Sequence, residues 1–245
     1  MSPDFADNFL MPRSSITGQE LPNPRFISLR IHSGRMVRSK DVSNMFSQWG
    51  QFLDHDMTQT PLFRTPNGNL IDCCNGPDRF RVDRCAPIQL SRNDPFYARF
   101  GIQCLNFVRS SPCLTCSQSP RTQLNQLTSF IDASNIYGSL LNHTNALRLF
   151  DGSGRLRMSN NELLPPSMDM RTDQCSRPPQ SICFASGDSR ANLTPGLVSM
   201  HTIWHRQHNN LALALKQINP HWDDERLFQE TRCAVRPCPV QVHRI

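Results

Sequence analysis

The stretch WGQFLDHD, from Trp49 to Asp56, places an amide, two carboxylates and an imidazole within a few positions of one another. An imidazole takes up and returns protons near neutral pH, and a carboxylate can hold a cation. These side chains therefore suit acid–base chemistry or metal binding. If the stretch stood alone, a surface helix with a solvated histidine and a satisfied aspartate would be the preferred interpretation.

Apolar residues recur at helical spacing from about Val42 to Asp56, which predicts a helix that positions this group. One stripe of the helical wheel is apolar and would face a core; it holds Met45, Trp49, Phe52 and Leu53. The opposite side is polar and holds Gln48, Gln51, Asp54 and His55. Asp56 falls back among the apolar positions, where an unpaired carboxylate is costly. We therefore expect Asp56 to face a cation, either an arginine or a metal ion.

A second group of oxygen-bearing side chains lies in the segment TSFIDAS, at Thr128, Asp132 and Ser134. Oxygen ligands with one or two carboxylates suit a hard cation such as Ca²⁺ better than zinc. The segment also fits the capped start of a helix, and the residues alone leave both interpretations open.

A third group surrounds the start of a long helical pattern. Asp188 and Arg190 lie at a glycine-containing turn, where a guanidinium can be held out into a cavity. On the helix, three histidines share one face: His201, His205 and His208. A zinc site is conceivable there, but no carboxylate completes an H-E-x-x-H pattern, so satisfied histidines along a polar seam are the preferred interpretation.

Composition indicates a folded, disulfide-bearing chain. With 245 residues, 38% of them hydrophobic, it is long enough for one large domain or two ordinary ones. Ten cysteines and two glycosylation sequons, at Asn142 and Asn192, indicate an extracellular or luminal compartment. The net charge of +6 comes from basic residues scattered along the sequence, so we predict no nucleic-acid partner.

The N-terminal residues and the hydropathy bear on how such a chain would reach that compartment. The first residues, MSPDFADNFLMPRSS, lack the basic and apolar regions of a secretory signal. No run of about eighteen apolar residues could cross a bilayer. We therefore expect a segment of a longer secreted protein, without a membrane span.

The remaining patterns predict a mainly α-helical fold. Residues 1–40 read as an irregular arm with a short strand or helix near 26–31, and a loop-rich, disulfide-stapled segment with a short helix near 94–100 follows the first long helix. Residues 124–149 are predicted to be largely helical with a break at YGS, and a Cys175–Cys183 bridge would close the exposed loop after them. Further helices are predicted at 197–218 and from 223 to about 232.

Four stretches taken together, NMFSQWGQFLDHD, QLNQLTSFIDASNIYGS, FASGDSRAN and HTIWHRQHNNLA, resemble the animal haem peroxidases. That family includes mammalian peroxidases, peroxidasin, peroxinectin and chorion peroxidases. The resemblance runs in order from about Leu21 to Arg232. It implies an irregular arm at 1–20, the N-terminal, distal half of a helical peroxidase domain at 21–232, and a divergent tail at 233–245.

The resemblance also implies roles for the polar residues. His55 matches the distal histidine, which takes a proton from hydrogen peroxide and returns it to the departing oxygen. Arg190 matches the distal arginine, whose charge stabilises the negative charge that develops as the O–O bond breaks. Gln51 matches an amide that lines the pocket, and Asp54 matches a carboxylate that becomes ester-linked to haem b.

A calcium site is implied in the same way. The positions that match its ligands are Asp56, Thr128, Phe130 through its carbonyl, Asp132 and Ser134. Calcium there would tie the helix that carries His55 to the later segment and so fix the imidazole.

Two departures from the family pattern affect these expectations. Leu193 and Thr194 stand where better-known members carry a glutamate and sometimes a methionine linked to haem, so at most the Asp54 link remains and strong halide oxidation is not expected. The neighbouring Asn192 sequon would lie near the pocket wall and escape glycosylation. The axial histidine lies beyond the matching region, and His243 stands in a different context, so we expect weak or no stable haem binding by this chain alone.

The sequence thus predicts a haem-dependent peroxidase that uses hydrogen peroxide to oxidise phenolic, tyrosyl or halide donors. A secreted, non-catalytic binding or adhesion fragment with peroxidase architecture is the alternative from another class. Metal binding through the three histidines of the long helix is a third hypothesis. The sequence predicts no oligomeric state.

Overall fold

The computed structural model describes residues 13–32, 34, 38–113, 121–167 and 182–235. The chain forms two compact units. Unit 1 comprises Met1–Arg38 and Gln59–Gln126, and unit 2 comprises Ser39–Thr58 and Leu127–Ile245. The helix that carries WGQFLDHD therefore belongs to unit 2, although the chain on both sides of it belongs to unit 1.

Unit 1 contains little regular structure. Helix α1 spans Pro24–Ile31, and the Asn23 side chain caps it by accepting a hydrogen bond from the Arg25 N–H at 2.8 Å. Strands β1 (Ile88–Gln89) and β2 (Cys104–Leu105) form an antiparallel pair, with Ile88 opposite Leu105. Two short 3₁₀ helices lie at Pro77–Phe80 and Ala98–Phe100.

Disulfides supply much of the cohesion of unit 1. Bridges join Cys73 to Cys85 and Cys74 to Cys104. The associated core is small and consists of Ile71, Cys73, Cys85 and Val108, with Phe63 packed against it. The prediction of a loop-rich segment stapled by disulfides is confirmed.

Unit 2 is helical. Its helices are α2 (Asn44–Met57), α3 (Ser134–Tyr137), α4 (Leu141–Leu147), α5 (Pro195–Ile218) and α6 (Asp224–Val235), with 3₁₀ turns at Asn160–Glu162 and Ser189–Asn192. Helix α5 packs against both α2 and α6. The core between these helices contains Phe52, Ala133, Ile136, Tyr137, Leu147, Leu156, Leu197, Met200, Phe228 and Val235.

The mainly α-helical class is confirmed, and the two long helices begin and end within about two residues of the predicted bounds. The prediction for residues 124–149 was wrong in part, because only α3 and α4 are helical there. Cys183 is disulfide-bonded, whereas Cys175 lies outside the described residues, and so does the predicted tail beyond residue 235. Among the described helices, none is long and apolar enough to cross a membrane.

Candidate active site and cation site

Helix α2 divides its polar residues between surface and interior. Asp54 is exposed and Gln51 is half-buried, whereas His55 and Asp56 are only 4% and 2% exposed. Trp49 stacks on Phe52 at a centroid distance of 5.8 Å, so the apolar stripe does face the core at these positions. Met45 is an exception: it is 44% exposed, and its predicted place on the buried face was wrong.

Arg190 lies beside His55. Its guanidinium donates to the backbone carbonyl of His55 at 3.2 Å, across 135 positions of sequence. The same group pairs with both carboxylate oxygens of Asp188, at 2.9 and 2.8 Å. The predicted turn therefore does present Arg190 to the histidine, but the guanidinium is fixed by a carboxylate and not held free in a cavity.

The environment of His55 keeps its imidazole neutral. Burial lowers the pKa of His55, and the positive charge of Arg190 lowers it further, against weaker opposing effects of Asp188 and Asp54. A neutral imidazole at neutral pH is able to accept a proton. Nδ1 of His55 is buried and has no hydrogen-bond partner within the described part of the chain.

Asp56 is satisfied by neutral donors. Its carboxylate accepts from the Ala133 N–H at 2.9 Å, the Ser134 hydroxyl at 2.8 Å and the Asn135 N–H at 3.3 Å. Within the described residues no arginine pairs with this carboxylate, and its place beside a metal ion stays a prediction. Three donors explain how a carboxylate tolerates this buried position.

Segment 128–134 forms a second carboxylate cluster around the same serine. One carboxylate oxygen of Asp132 accepts from the Thr128 hydroxyl and from the Ser134 N–H, both at 3.1 Å. The Phe130 side chain is 72% exposed, and its N–H donates to the Thr128 hydroxyl at 3.4 Å.

The backbone of this segment is bent by two residues with positive φ. Ser129 has φ 63° and Ala133 has φ 62°, a conformation that costs a non-glycine residue roughly 1–2 kcal/mol. Strained positions of this kind concentrate where a loop holds a ligand. Within the described residues, no group of three or more histidine, cysteine or acidic side chains could hold a metal ion, so an ion here would depend on hydroxyls and carbonyls as well as two carboxylates.

A buried hydrogen-bond chain that the sequence did not reveal connects α2, α3 and α5. The Asn135 amide donates to the Phe52 carbonyl at 2.8 Å. The Ser186 hydroxyl donates to the Asn135 carbonyl at 3.2 Å and lies 2.8 Å from Nδ1 of His201. No periodicity or motif indicates these contacts, because their partners are far apart in the sequence.

The three histidines of α5 do not converge. His201 contacts Ser186, whereas Nε2 of His205 lies 2.7 Å from the Arg157 carbonyl. The Tyr137 hydroxyl donates to Nδ1 of His208, whose Nε2 donates to a backbone carbonyl at 2.9 Å. Burial lowers the pKa of His201 to about 3 and those of the other two to about 4. They are buried, neutral core histidines, and the zinc hypothesis was wrong.

Thr194, one of the two positions that depart from the family pattern, and the neighbouring Asn192 have structural roles. Thr194 caps α5 by accepting from the Leu197 N–H at 3.2 Å, and its hydroxyl donates to the Gln48 side chain at 3.0 Å. The Asn192 amide is hydrogen-bonded both ways to the backbone of Phe184, at 2.9 and 2.7 Å. The Asn192 side chain is therefore fixed against the Phe184 backbone, and the absence of a glycan on it stays a prediction.

Comparison with known proteins indicates the family of the chain. Residues 1–241 match the family described as animal haem peroxidase. The chain is 39% identical over 250 residues to the chorion peroxidase of Aedes aegypti. The aligned region covers 95% of this chain and 30% of that protein. It is 39% identical over 259 residues to the peroxidasin homolog of Mus musculus, covering 93% of this chain and 17% of that protein.

Among solved structures, peroxidase A from Dictyostelium discoideum superposes with a TM-score of 0.67 at 24% identity, over 94% of this chain and 44% of that one. This structural likeness shows the fold alone. Membership of the family rests on the family match over residues 1–241 and on the 39% identity to the curated relatives. The chain belongs to the animal haem peroxidase family. It spans less than a third of the length of the two curated relatives, and the comparisons do not favour the non-catalytic adhesion alternative.

Proposed function

We propose that this chain provides the distal wall of a haem peroxidase site that uses hydrogen peroxide to oxidise phenolic, tyrosyl or halide donors. Haem, when bound, would supply the iron that holds the peroxide. The observation that carries the proposal is the neutral, buried His55 with the fixed guanidinium of Arg190 against its backbone. A base and a stationary positive charge are the two groups that heterolysis of peroxide requires.

Each side chain then has a separate task. His55 takes the peroxide proton and delivers it to the departing oxygen. Arg190 stabilises the negative charge that develops on that oxygen, and its pairing with Asp188 keeps the guanidinium from moving away. Gln51 lies one helical turn before His55 on α2, where its amide holds water or halide near the imidazole.

Asp54 is the residue proposed to attach haem b through an ester. Its carboxylate is exposed, one position before His55 on α2. The capping role of Thr194 and the aliphatic side chain of Leu193 provide no second link. A haem with one link is less distorted than one with several, so we expect phenolic donors to be oxidised better than halides.

We further propose Ca²⁺ as the ion of the second cluster, held by Asp56, Thr128, the Phe130 carbonyl, Asp132 and Ser134. The two carboxylates and the hydroxyls already meet around Ser134, and oxygen donors suit a hard cation. Calcium should raise the thermal midpoint of the purified chain, and Asp132→Asn should remove that rise. An equal rise in both proteins would show that calcium acts elsewhere.

An extracellular location is proposed from the disulfides and from the curated relatives. The bridges Cys73–Cys85 and Cys74–Cys104 support this location, because disulfides persist mainly in oxidising compartments. Asn142 is exposed near the start of α4 and is the sequon that remains available for a glycan.

The peroxidase proposal is tested by measuring peroxide-dependent guaiacol oxidation by the purified chain at saturating haem. His55→Ala should lower the rate per bound haem by about 100-fold or more, since general acid–base catalysis contributes about 10²–10⁴-fold. The Soret absorbance of each protein is recorded beforehand to measure how much haem is bound.

The matched control is His221→Ala, which removes an exposed histidine that follows α5. Its rate should equal that of the unaltered chain. A rate that is unchanged by His55→Ala would contradict the proposed role of the imidazole. If the unaltered chain is no faster than free haem, the chain does not act as a peroxidase by itself.

A further inference from the structure

The net positive charge of the chain lies in unit 1. Unit 1 contains 13 basic and 7 acidic residues, whereas unit 2 contains 13 of each, so the whole net charge of +6 belongs to unit 1. The basic residues of unit 1 are all arginines. An uneven distribution of this kind favours binding of an anionic partner by one part of a protein.

Within unit 1, the loop that joins β1 to β2 presents arginine and aromatic side chains together. The hairpin closes with a hydrogen bond from the Leu90 N–H to the Gln103 carbonyl at 2.9 Å, and the Cys74–Cys104 bridge fixes its base. The intervening residues, 91–102, read SRNDPFYARFGI. This loop is therefore held covalently and by hydrogen bonds at the point where it leaves the sheet.

A buried carboxylate fixes the conformation of the loop. Asp94 is 4% exposed and accepts from the N–H groups of Phe96 and Tyr97 at 2.9 and 2.8 Å. It also pairs with the Arg25 guanidinium at 2.8 and 3.1 Å. The main negative charge of the loop is thus already neutralised internally, and the exposed cations are left without it.

The exposed side of the loop forms a surface that we name the Arg99 platform, consisting of Phe96, Arg99 and Phe100. The two phenyl rings are 5.6 Å apart and are 47% and 57% exposed. The Arg99 guanidinium lies 4.6 Å from the centroid of each ring, so the rings hold it in place. Arg99 is exposed and makes no ion pair with any residue in the described part of the chain.

An exposed ring and a positioned guanidinium match the two recognition features of an acidic sugar. The apolar face of a pyranose lies against an aromatic ring, and a sulfate or carboxylate pairs with a planar guanidinium through two hydrogen bonds. The disulfides of unit 1 are typical of oxidising compartments such as the cell exterior, where sulfated and uronate-bearing polysaccharides are available polyanions. We propose that the Arg99 platform binds a sulfated or uronate-bearing polysaccharide.

The test measures binding of a fluorescent heparin decasaccharide to the purified, oxidised chain by anisotropy. Arg99→Gln should raise the Kd by about fivefold and Phe100→Ala by about threefold, which corresponds to roughly 1 kcal/mol or less each. The loss with Phe100→Ala is the specific expectation, because that change alters no charge. Circular dichroism and the thermal midpoint confirm that each variant is folded.

The matched control is Arg226→Gln. Arg226 is exposed on α6, and its guanidinium lies 4.5 Å from the centroid of the Trp222 ring. The substitution therefore removes one ring-stacked arginine from unit 2, which has no net charge. Its Kd should stay unchanged. Equal losses for Arg99→Gln and Arg226→Gln, or no loss for Phe100→Ala, would show that net charge alone acts and would overturn the platform. Equal affinity for a single-stranded oligonucleotide or for phosphatidylserine vesicles would overturn the choice of polysaccharide.

Discussion

The two units achieve stability by different means. In the described part of unit 2, five helices pack around an apolar core that includes Leu197 and Phe228, both fully buried. Unit 1 has a core of four buried residues, two of which are the bridged cysteines Cys73 and Cys85. The candidate catalytic residues lie in the packed unit, where side-chain positions are fixed by close contacts. The charged surface lies in the stapled unit, where a loop needs only a fixed base.

The units also differ in the ionisable groups that they bury. Unit 2 buries His201, His205 and His208 in their neutral form, and burial lowers all three pKa values. Unit 1 buries Asp94 in its charged form, and the Arg25 guanidinium lowers its pKa. Acid therefore destabilises the two units in different pH ranges: the buried histidines lower stability once the pH falls below about 6.5, whereas the paired Asp94 does so only below about 3.8.

The largest expected effect is the loss of unit 2 alone on mild acidification. Below pH 6.5 the unfolded histidines bind protons, while the folded ones stay neutral down to about pH 4, so stability falls as the pH falls through this window. Three protons correspond to a slope of about 4 kcal/mol per pH unit. Asp94 loses its contribution only below its unfolded pKa near 3.8, so unit 1 should be unaffected at pH 4.5.

Intrinsic fluorescence separates the two responses, because all three tryptophans (Trp49, Trp204 and Trp222) belong to unit 2. The midpoint temperature of thermal unfolding, followed by tryptophan fluorescence, should fall steeply between pH 6.5 and 4.5. Amide exchange in the β1–β2 hairpin should stay slow over the same range. His205→Gln should reduce the slope by about a third. A midpoint independent of pH in this window would contradict the account of neutral histidines.

The sequence predicted the elements with a long, regular period. Helix α5 has a continuous apolar pattern that ends before Pro220, and α2 has an apolar stripe next to a polar one. The pattern also placed Asp56 correctly in the interior. It could not show that Met45 is left exposed by the described residues, since a helical wheel gives direction and not the extent of burial.

Residues 124–133 show why local patterns failed elsewhere. There the Thr128 hydroxyl accepts from the Phe130 N–H and the Asp132 carboxylate from the Ser134 N–H, so side chains take the backbone donors that a helix would use. The Asn135–Ser186–His201 chain was equally invisible, because its members meet only through packing. The candidate catalytic pair was predictable by family resemblance, but its fixation by Asp188 was not.

A second expected effect distinguishes stabilisation by a disulfide from stabilisation by core packing. The double change Cys74→Ser and Cys104→Ser opens a loop with a separation of 30 residues and should cost unit 1 about 2–4 kcal/mol. Amide exchange at Leu105 should become faster. The thermal unfolding midpoint of unit 2, reported by tryptophan fluorescence, should stay unchanged. Cys233→Ser, at an exposed position on α6, is the control and should change neither signal. Equal destabilisation of both units would show that the two are not independently stabilised.

The smallest expected effect compares two helix caps. Asn23→Ala and Thr194→Ala each remove a side chain that accepts a hydrogen bond from the first turn of a helix, and each should cost about 1 kcal/mol. Helix α1 buries no side chain, so losing its cap should speed exchange of its own amides about fivefold and leave the rest of unit 1 unchanged.

Helix α5 buries eight side chains, so its stability is coupled to the core of unit 2. The loss of the Thr194 cap should therefore lower the thermal unfolding midpoint of the whole unit, as reported by tryptophan fluorescence. Both variants are compared by amide exchange and thermal unfolding at pH 7. If Thr194→Ala also gave only local fraying, α5 would not be coupled to its core, and the contrast between a packed and a stapled unit would fail. If Asn23→Ala lowered the stability of the hairpin, α1 would be contributing to unit 1 through its polar contacts, because it has no buried apolar face to contribute.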